Sequence, residues 1–205
     1  SVTNGVVDAF RDPGDALISF SPDGFVDAGL GNVSIQMNAG SGLTFSQSGE
    51  ISVGSITANA ISIFNAGASG NNAVTVNSGA LLTASGGGDA IVVLSDVFTN
   101  LAGASAFNLT GGGRFLVYST DYEAIDRGGL IGNNLYNRTF VDAPPGSVTQ
   151  PGNLFIFQRQ PFLTFTADDA TRTYGQGSPA YTFQFTGLVN GDSDFYAFSG
   201  MPNLF

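Results

Sequence analysis

Acid–base and metal chemistry in this chain must come from oxygen. The sequence contains no Cys, His, Lys or Trp, and its six basic residues are all arginine: Arg11, Arg114, Arg127, Arg138, Arg159 and Arg172. Proton transfer therefore falls to Asp, Glu or Tyr. Thiol catalysis, disulfides, iron–sulfur clusters and thiolate zinc sites are excluded. Between residues 31 and 118 the only acids are Glu50, Asp89 and Asp96. A glycosidase would need two carboxylates roughly 5 to 9.5 Å apart across one groove. Asp89 falls at a glycine-rich corner and Asp96 one face away, so they are not expected to converge. Asp168 and Asp169 are adjacent, and a strand points neighbours to opposite faces. The acids predict a chain that is not an enzyme.

Calcium is the metal such oxygens suit. Asn190-Gly191-Asp192-Ser193-Asp194 is an oxygen-rich turn, with Asp192 and Asp194 as candidate ligands. A plain Asx turn is the competing reading. Asp121, Glu123 and Asp126 beside Arg127 form a second candidate, against a salt bridge in a cap. Asp8, Asp12, Asp15, Asp23 and Asp27 form a third. Their spacing lacks the sixth-position Gly and closing Glu of an EF-hand loop, and turn chemistry accounts for them. No cofactor is expected beyond Ca²⁺ at such turns. Asn32, Asn108 and Asn137 head N-x-[ST] triplets, at a frequency near chance in so Asn- and Thr-rich a chain. Phe155, Phe157, Phe162 and Phe165, then Tyr181, Phe183 and Phe185, read as core packing, with a sugar-stacking platform as the sharper alternative.

The elements that would position these groups are strands. Short apolar pieces recur from residue 31 to 118, in two interleaved series about 16 to 23 residues apart. One runs Val33-Ile35-Met37, Ile51-Val53, Val74-Val76, Ile91-Val93, Phe107-Leu109; the other Leu43-Phe45, Ile61-Ile63, Leu81-Thr83, Val97, Phe115-Val117. Ser, Thr, Asn and Gln alternate with the apolar residues, so period 2 sends one set inward. Asn77-Ser78-Gly79 and Gly86-Gly87-Gly88-Asp89 supply turn residues that tolerate positive φ. No apolar 3.6-residue period marks a helix. The predicted fold is all-β: a right-handed parallel β-helix over 1–118, a cap and linker over 119–160, and the beginning of a small β-sandwich over 161–205.

Composition agrees. Apolar residues make up 42%, enough for a core, and the 29 glycines sit between strands rather than in a tract. The net charge is −10 with no basic cluster, which disfavours nucleic acid and anionic membrane surfaces. The longest apolar run, Ala90 to Leu94, is far short of the roughly 20 residues that span a bilayer, so no membrane insertion is expected. Ser1 opens without a basic start or apolar stretch, so if the protein is exported this chain reads as an internal piece of something longer.

Arg114-Phe115-Leu116-Val117-Tyr118-Ser119, then Asp121, Gly128-Gly129-Leu130 and Tyr136-Asn137-Arg138-Thr139, resembles the segment that ends the β-helix of filamentous-haemagglutinin-like adhesins of bacterial two-partner secretion. From Pro161 the chain resembles the opening of an MBG/YDG repeat domain. The matching residues are Leu163-Thr164-Phe165-Thr166-Ala167, then Tyr174-Gly175 with Pro179, then Gly187-Leu188-Val189-Asn190-Gly191-Asp192. The usual Lys is Arg172. The resemblance is motif by motif after residue 107 and one of style before it. It implies the shaft of a large secreted adhesin or biofilm-matrix protein at the bacterial surface. It also implies an outer-membrane secretion partner and a host-cell, bacterial or matrix-polysaccharide receptor. The competing functions are a polysaccharide-processing β-helix enzyme, and a self-associating filament subunit.

Overall fold

The computed structural model describes residues 7–10, 17–19, 25–27, 32–38, 50–66, 72–189 and 192. Contacts divide the chain into two units, Ser1–Gln160 and Pro161–Phe205. The first is a parallel β-solenoid of about four turns, and each turn visits three sheets.

The first sheet holds β1 (Val7–Phe10), β4 (Asn32–Asn38), β7 (Ala60–Ala66), β10 (Asp89–Leu94) and β13 (Arg114–Ser119) in spatial sequence. The second holds β2 (Leu17–Ser19), β5 (Glu50–Val53), β8 (Ala73–Val76), β11 (Val97–Asn100) and the short β14 (Ile125–Asp126). The third holds β3 (Phe25–Asp27), β6 (Ser55–Ala58), β9 (Leu82–Ala84) and β12 (Phe107–Leu109). Side-chain hydrogen bonds between successive coils join residues 24 to 27 apart. This replaces the shorter repeat expected from the sequence, which had merged three faces into two series. β5 and β6 are separated only by Gly54, so two faces look like one run. Leu43–Phe45 lies outside the described residues.

Inward residues stack on their equivalents. Ile61, Ile91 and Phe115 are in register in the first sheet; Ile51, Val74 and Phe98 in the second; Ile56, Leu82 and Phe107 in the third. All but Phe107 are nearly or wholly inaccessible. Each such side chain contributes about 1.5–3 kcal/mol by leaving water. Where the column Val53, Val76 reaches Asn100, the inward residue turns polar but stays satisfied. Asn100 Nδ2 donates to the Gly103 and Arg127 carbonyls at 2.9 and 2.8 Å, and its Oδ1 accepts from the Ala102 amide at 3.0 Å. The corner from the first sheet to the second is also a polar ladder. Asp96 accepts from Asn72 of the preceding coil and from Thr120 of the next.

The end of the solenoid departs from simple winding. After β14 the chain runs to β15 (Asn133–Leu135), turns back through residues 136–153, and enters β16 (Leu154–Phe157). β16 pairs in parallel with both β13 and β15 and so lies between them. The returning segment covers the outer face of the first sheet. Val92, Leu116, Tyr118, Leu154 and Ile156 form a second core there with Ala143 and Val148. Strands β10, β13 and β16 are thus apolar on both faces, as strands buried on both sides must be. In the earlier coil the same outward column holds Ser62, in register with Val92.

The second unit, among the described residues, has one antiparallel pair, β17 (Thr164–Ala167) and β18 (Phe183–Thr186). Phe165 packs against Phe183 and Phe185, with ring centroids 5.6 and 5.9 Å apart. Phe155 and Phe157, by contrast, belong to the solenoid core.

Coil spacing leaves no room for side chains at one corner. A Cβ on Gly111 would lie 1.8 Å from the Ser85 carbonyl oxygen, whereas one on Gly87 meets nothing closer than 4.0 Å. Gly111→Ala is expected to destabilise the solenoid by about 1–3 kcal/mol and Gly87→Ala to leave it nearly unchanged. Urea midpoints of the two variants test this, and equal midpoints would contradict the stacked corner.

Candidate functional site

The motif residues converge on the return segment. Arg114, at the start of β13, donates through Nε to Asp89 Oδ1, through Nη2 to the Val148 carbonyl at 2.7 Å, and through Nη1 to the Gln150 carbonyl. Asp89 accepts the Gly146 amide on its other oxygen at 2.6 Å. One largely buried ion pair therefore holds both neighbouring coils and the 146–150 loop. Tyr118 donates from its hydroxyl to the Ala143 carbonyl at 2.8 Å and packs edge-to-face on Phe140, 5.1 Å between centroids. Asp121 caps the 3-10 turn Tyr122–Ala124 by accepting from the Glu123 amide at 3.1 Å, and pairs with Arg159 beyond β16.

The remaining motif pieces make the turns. Gly128 and Gly129 have φ of +55° and +91°, and a Cβ on Gly128 would lie 2.2 Å from the Asn100 carbonyl oxygen. Leu130 follows them into the core. Tyr136 stacks on Phe157 at 5.5 Å. Asn137, at φ +54°, is the one non-glycine residue with positive φ among those described, and it starts the reversal. Thr139 then exchanges hydrogen bonds with Asp142, which tightens the return.

The candidate acids are spread out. Asp89 and Asp96 lie at opposite ends of β10, roughly 20 Å apart at the rise of a strand. Glu50 is exposed and accepts from Thr75. Asp168 accepts from Thr182 at 2.7 Å and Gln184 at 3.0 Å, across β17 and β18. Asp126 accepts the Gly128 amide, and Arg127 lies 3.9 Å over the Phe155 ring while donating to the Gly132 carbonyl and Asn134. The acid that forms the cap salt bridge is Asp121, and its partner is Arg159. Among the described residues, no group of three or more acids is placed to share a metal ion. Asp192 Oδ2 accepts the Val189 amide at 3.1 Å, and the Asp192 amide donates to the Val189 carbonyl at 2.9 Å. Its proposed co-ligand Asp194, with Asn190 and Gly191, lies outside the described residues, as do Asp12, Asp15 and Asp23. In the second unit Tyr174 is fully exposed, Gly175 has φ +88°, and Pro179 is half-buried beyond a Thr173–Gln176 turn.

One feature was invisible in the sequence. A cleft of about 170 Å³ opens at the corner from the first sheet to the second, lined by Ser95, Asp96, Tyr118, Thr120, Arg138 and Phe140 among others. Its residues come from the exits of β7, β10, β13 and β16 and from the return segment, so no local spacing announces it.

Arg114→Ala is expected to lower stability by about 1.5–3 kcal/mol, because it strips charge-assisted bonds and leaves Asp89 buried against one amide. Arg114→Lys recovers only part, since an ammonium cannot fork to separated acceptors. Limited proteolysis should then cut between Ala143 and Gln150, and an uncut loop would refute the clamp. Tyr118 supplies a pH test. Desolvation, then the Asp89 charge, raises its pKa well above the ordinary tyrosine value, against a smaller opposing effect of Arg114. The folded state holds this proton more tightly than the unfolded chain. Its stabilising contribution is therefore complete below about pH 10 and lost as pH climbs toward the raised value. Tyr118→Phe should flatten the alkaline decline in urea midpoint; an unchanged slope would sink the assignment.

No curated protein matches the chain, and no solved structure does. A family model described as the MBG domain (YGX type) matches residues 163–200, the stretch that carries β17, Tyr174-Gly175 and β18. MBG domains are typical of extracellular or surface proteins, and none of the described residues forms a helix long and apolar enough to cross a membrane. A parallel β-solenoid joined to an MBG-matching unit fits a structural, adhesin-like surface protein.

Proposed function

We propose that the chain is a shaft segment of a large secreted bacterial adhesin or biofilm-matrix protein, exported by two-partner secretion. The observation that carries this reading is the closure of the solenoid immediately before an MBG-matching stretch. The clamp is made by the residues through which the sequence resembles the end of filamentous-haemagglutinin-like shafts: Arg114, Tyr118, Asp121, the Gly128-Gly129 pair and Tyr136 to Thr139. They tie coils to coils. Asp89 is occupied by Arg114, and Asp96 by Asn72 and Thr120. A stacked solenoid transmits load along its hydrogen-bonded coils and presents surface, the properties that a stalk needs.

The test is made in the organism that carries the gene. Antibody against residues 50–160 should label intact cells or the medium, on a protein much larger than 21.0 kDa. Deleting the gene should reduce attachment to cells or to polysaccharide-coated surfaces. Deleting the outer-membrane partner should trap the protein inside the envelope. Signal confined to the cytosol, or attachment unchanged by deletion, would overturn the reading.

A further inference from the structure

We infer that the corner cleft of the solenoid is a binding site for a single neutral sugar residue. It deepens the surface-protein reading and rests on it for a source of ligand; its geometry stands by itself. The cleft measures about 170 Å³. A water molecule's share of liquid volume is about 30 Å³, so the space is that of a pyranose ring rather than of one or two waters. It opens to solvent beside Arg138 and Gln158, both exposed.

The lining mixes what sugars require. Asp96 Oδ1 accepts the Thr120 hydroxyl and keeps a second lone pair for a ligand, and Arg138 offers donors; the only hydrogen bond described for the Arg138 guanidinium is to the Asn137 carbonyl, at 3.0 Å. Asp96 is held in place by Asn72 at 2.7 Å and Thr120 at 2.5 Å, so its orientation is set before any ligand arrives. Phe140 supplies an apolar wall and is itself fixed edge-to-face by Tyr118 and Phe64. One carboxylate and one guanidinium sum to no net charge, and the chain as a whole carries −10, which favours an uncharged ligand over an acidic one.

A second observation points to a ligand independently. Ser95, a residue of this cleft's lining, is 3% exposed, and its Oγ is buried without a hydrogen-bond partner. A buried hydroxyl without a partner costs free energy, and native proteins keep few of them. The neighbouring corner positions are satisfied: Ser119 Oγ donates to the Asp96 carbonyl at 2.6 Å, and Thr120 Oγ1 to the Asp96 carboxylate. A sugar hydroxyl in the cleft would supply what Ser95 lacks once the Ser95 hydroxyl rotates toward it.

The experiment uses the full chain with a panel of methyl glycosides: glucose, galactose, mannose, N-acetylglucosamine, and the acidic glucuronide and sialoside. Saturation-transfer NMR and calorimetry read binding. At least one neutral glycoside should bind with a millimolar dissociation constant, the range open to a ligand of about a dozen heavy atoms. Arg138→Ala and Ser95→Ala should each weaken it about tenfold. Ser95→Ala should also keep or raise the melting temperature, since it removes an unpaired hydroxyl. That outcome separates lost binding from lost folding. Absence of saturable binding across the neutral panel, or binding untouched by both variants, would overturn the inference. Preference for the acidic glycosides would overturn it too. Surface location and attachment are read by different assays, so this site can fail while the adhesin reading stands.

Discussion

The structure depends on where β16 is inserted. A parallel coil that simply kept winding would place β15 directly on β13. Instead β16 fills that position and β15 moves one strand further out. The insertion needs a long return, and the return has to run outside the first sheet. That single route explains several features at once. The outward column changes from Ser62 to Val92, Leu116 and Leu154 because these residues now face protein rather than water. Arg114 reaches two carbonyls because the return passes over it. Tyr118 finds the Ala143 carbonyl at the same crossing. The final stack gains a covered outer face, and the terminal coil is held by side chains as well as by its backbone ladder, which restrains the fraying and edge pairing to which solenoid ends are prone.

Much of the coil interior was legible from the residues. Alternation with period 2 marked Ile51, Val53, Val74 and Val76 as inward, and the structure buries them all. Asn77-Ser78-Gly79 and Gly88 read as corners, and Gly79 and Gly88 have positive φ. The number of faces was not legible. A one-residue corner at Gly54 leaves no turn cluster to separate β5 from β6, so three faces collapse into two apparent series. The insertion of β16 was not legible either, because no local pattern says which strand a parallel strand will join. A signal was nevertheless present. Ile91–Leu94, Phe115–Tyr118 and Leu154–Phe157 are unbroken apolar runs, and such strands are buried on both faces. By that rule they mark the strands that the return segment covers.

The clamp and the cleft differ in how sequence encodes them. Arg114, Tyr118 and Asp121 stand close together in the chain, and a conformation shared along one strand and its exit keeps them recognisable as a motif. The cleft is assembled from the exits of β7, β10, β13 and β16 and from the start of the return. Its polar members, Ser95, Asp96 and Thr120, look in the sequence like ordinary corner residues. Only the 24-residue offset that joins Asp96 to Thr120 makes them neighbours.

A filled solenoid has no interior to offer a ligand. Among the described residues its lumen is Ile, Val, Leu and Phe in register, with Asn100 satisfied by backbone groups. Any concave site must therefore be built on the outside, where something extra stands against the coil surface. The return segment is that extra layer. Phe140 and Arg138 form a wall that the bare corner would lack, and the same residues 136–143 that begin the cover also shape the cleft's rim. Stability and binding are thus linked through one segment. Arg114 and Tyr118 hold the cover in place, and the cover in turn fixes the distance between the rim and the Ser95–Asp96 corner. A change that loosened the clamp would disturb the cleft before it unravelled the coils, because the coils have a full ladder of backbone bonds, whereas beyond the clamp the rim is held by the Arg138 amide on the Phe157 carbonyl and by Phe140 packed on Phe64.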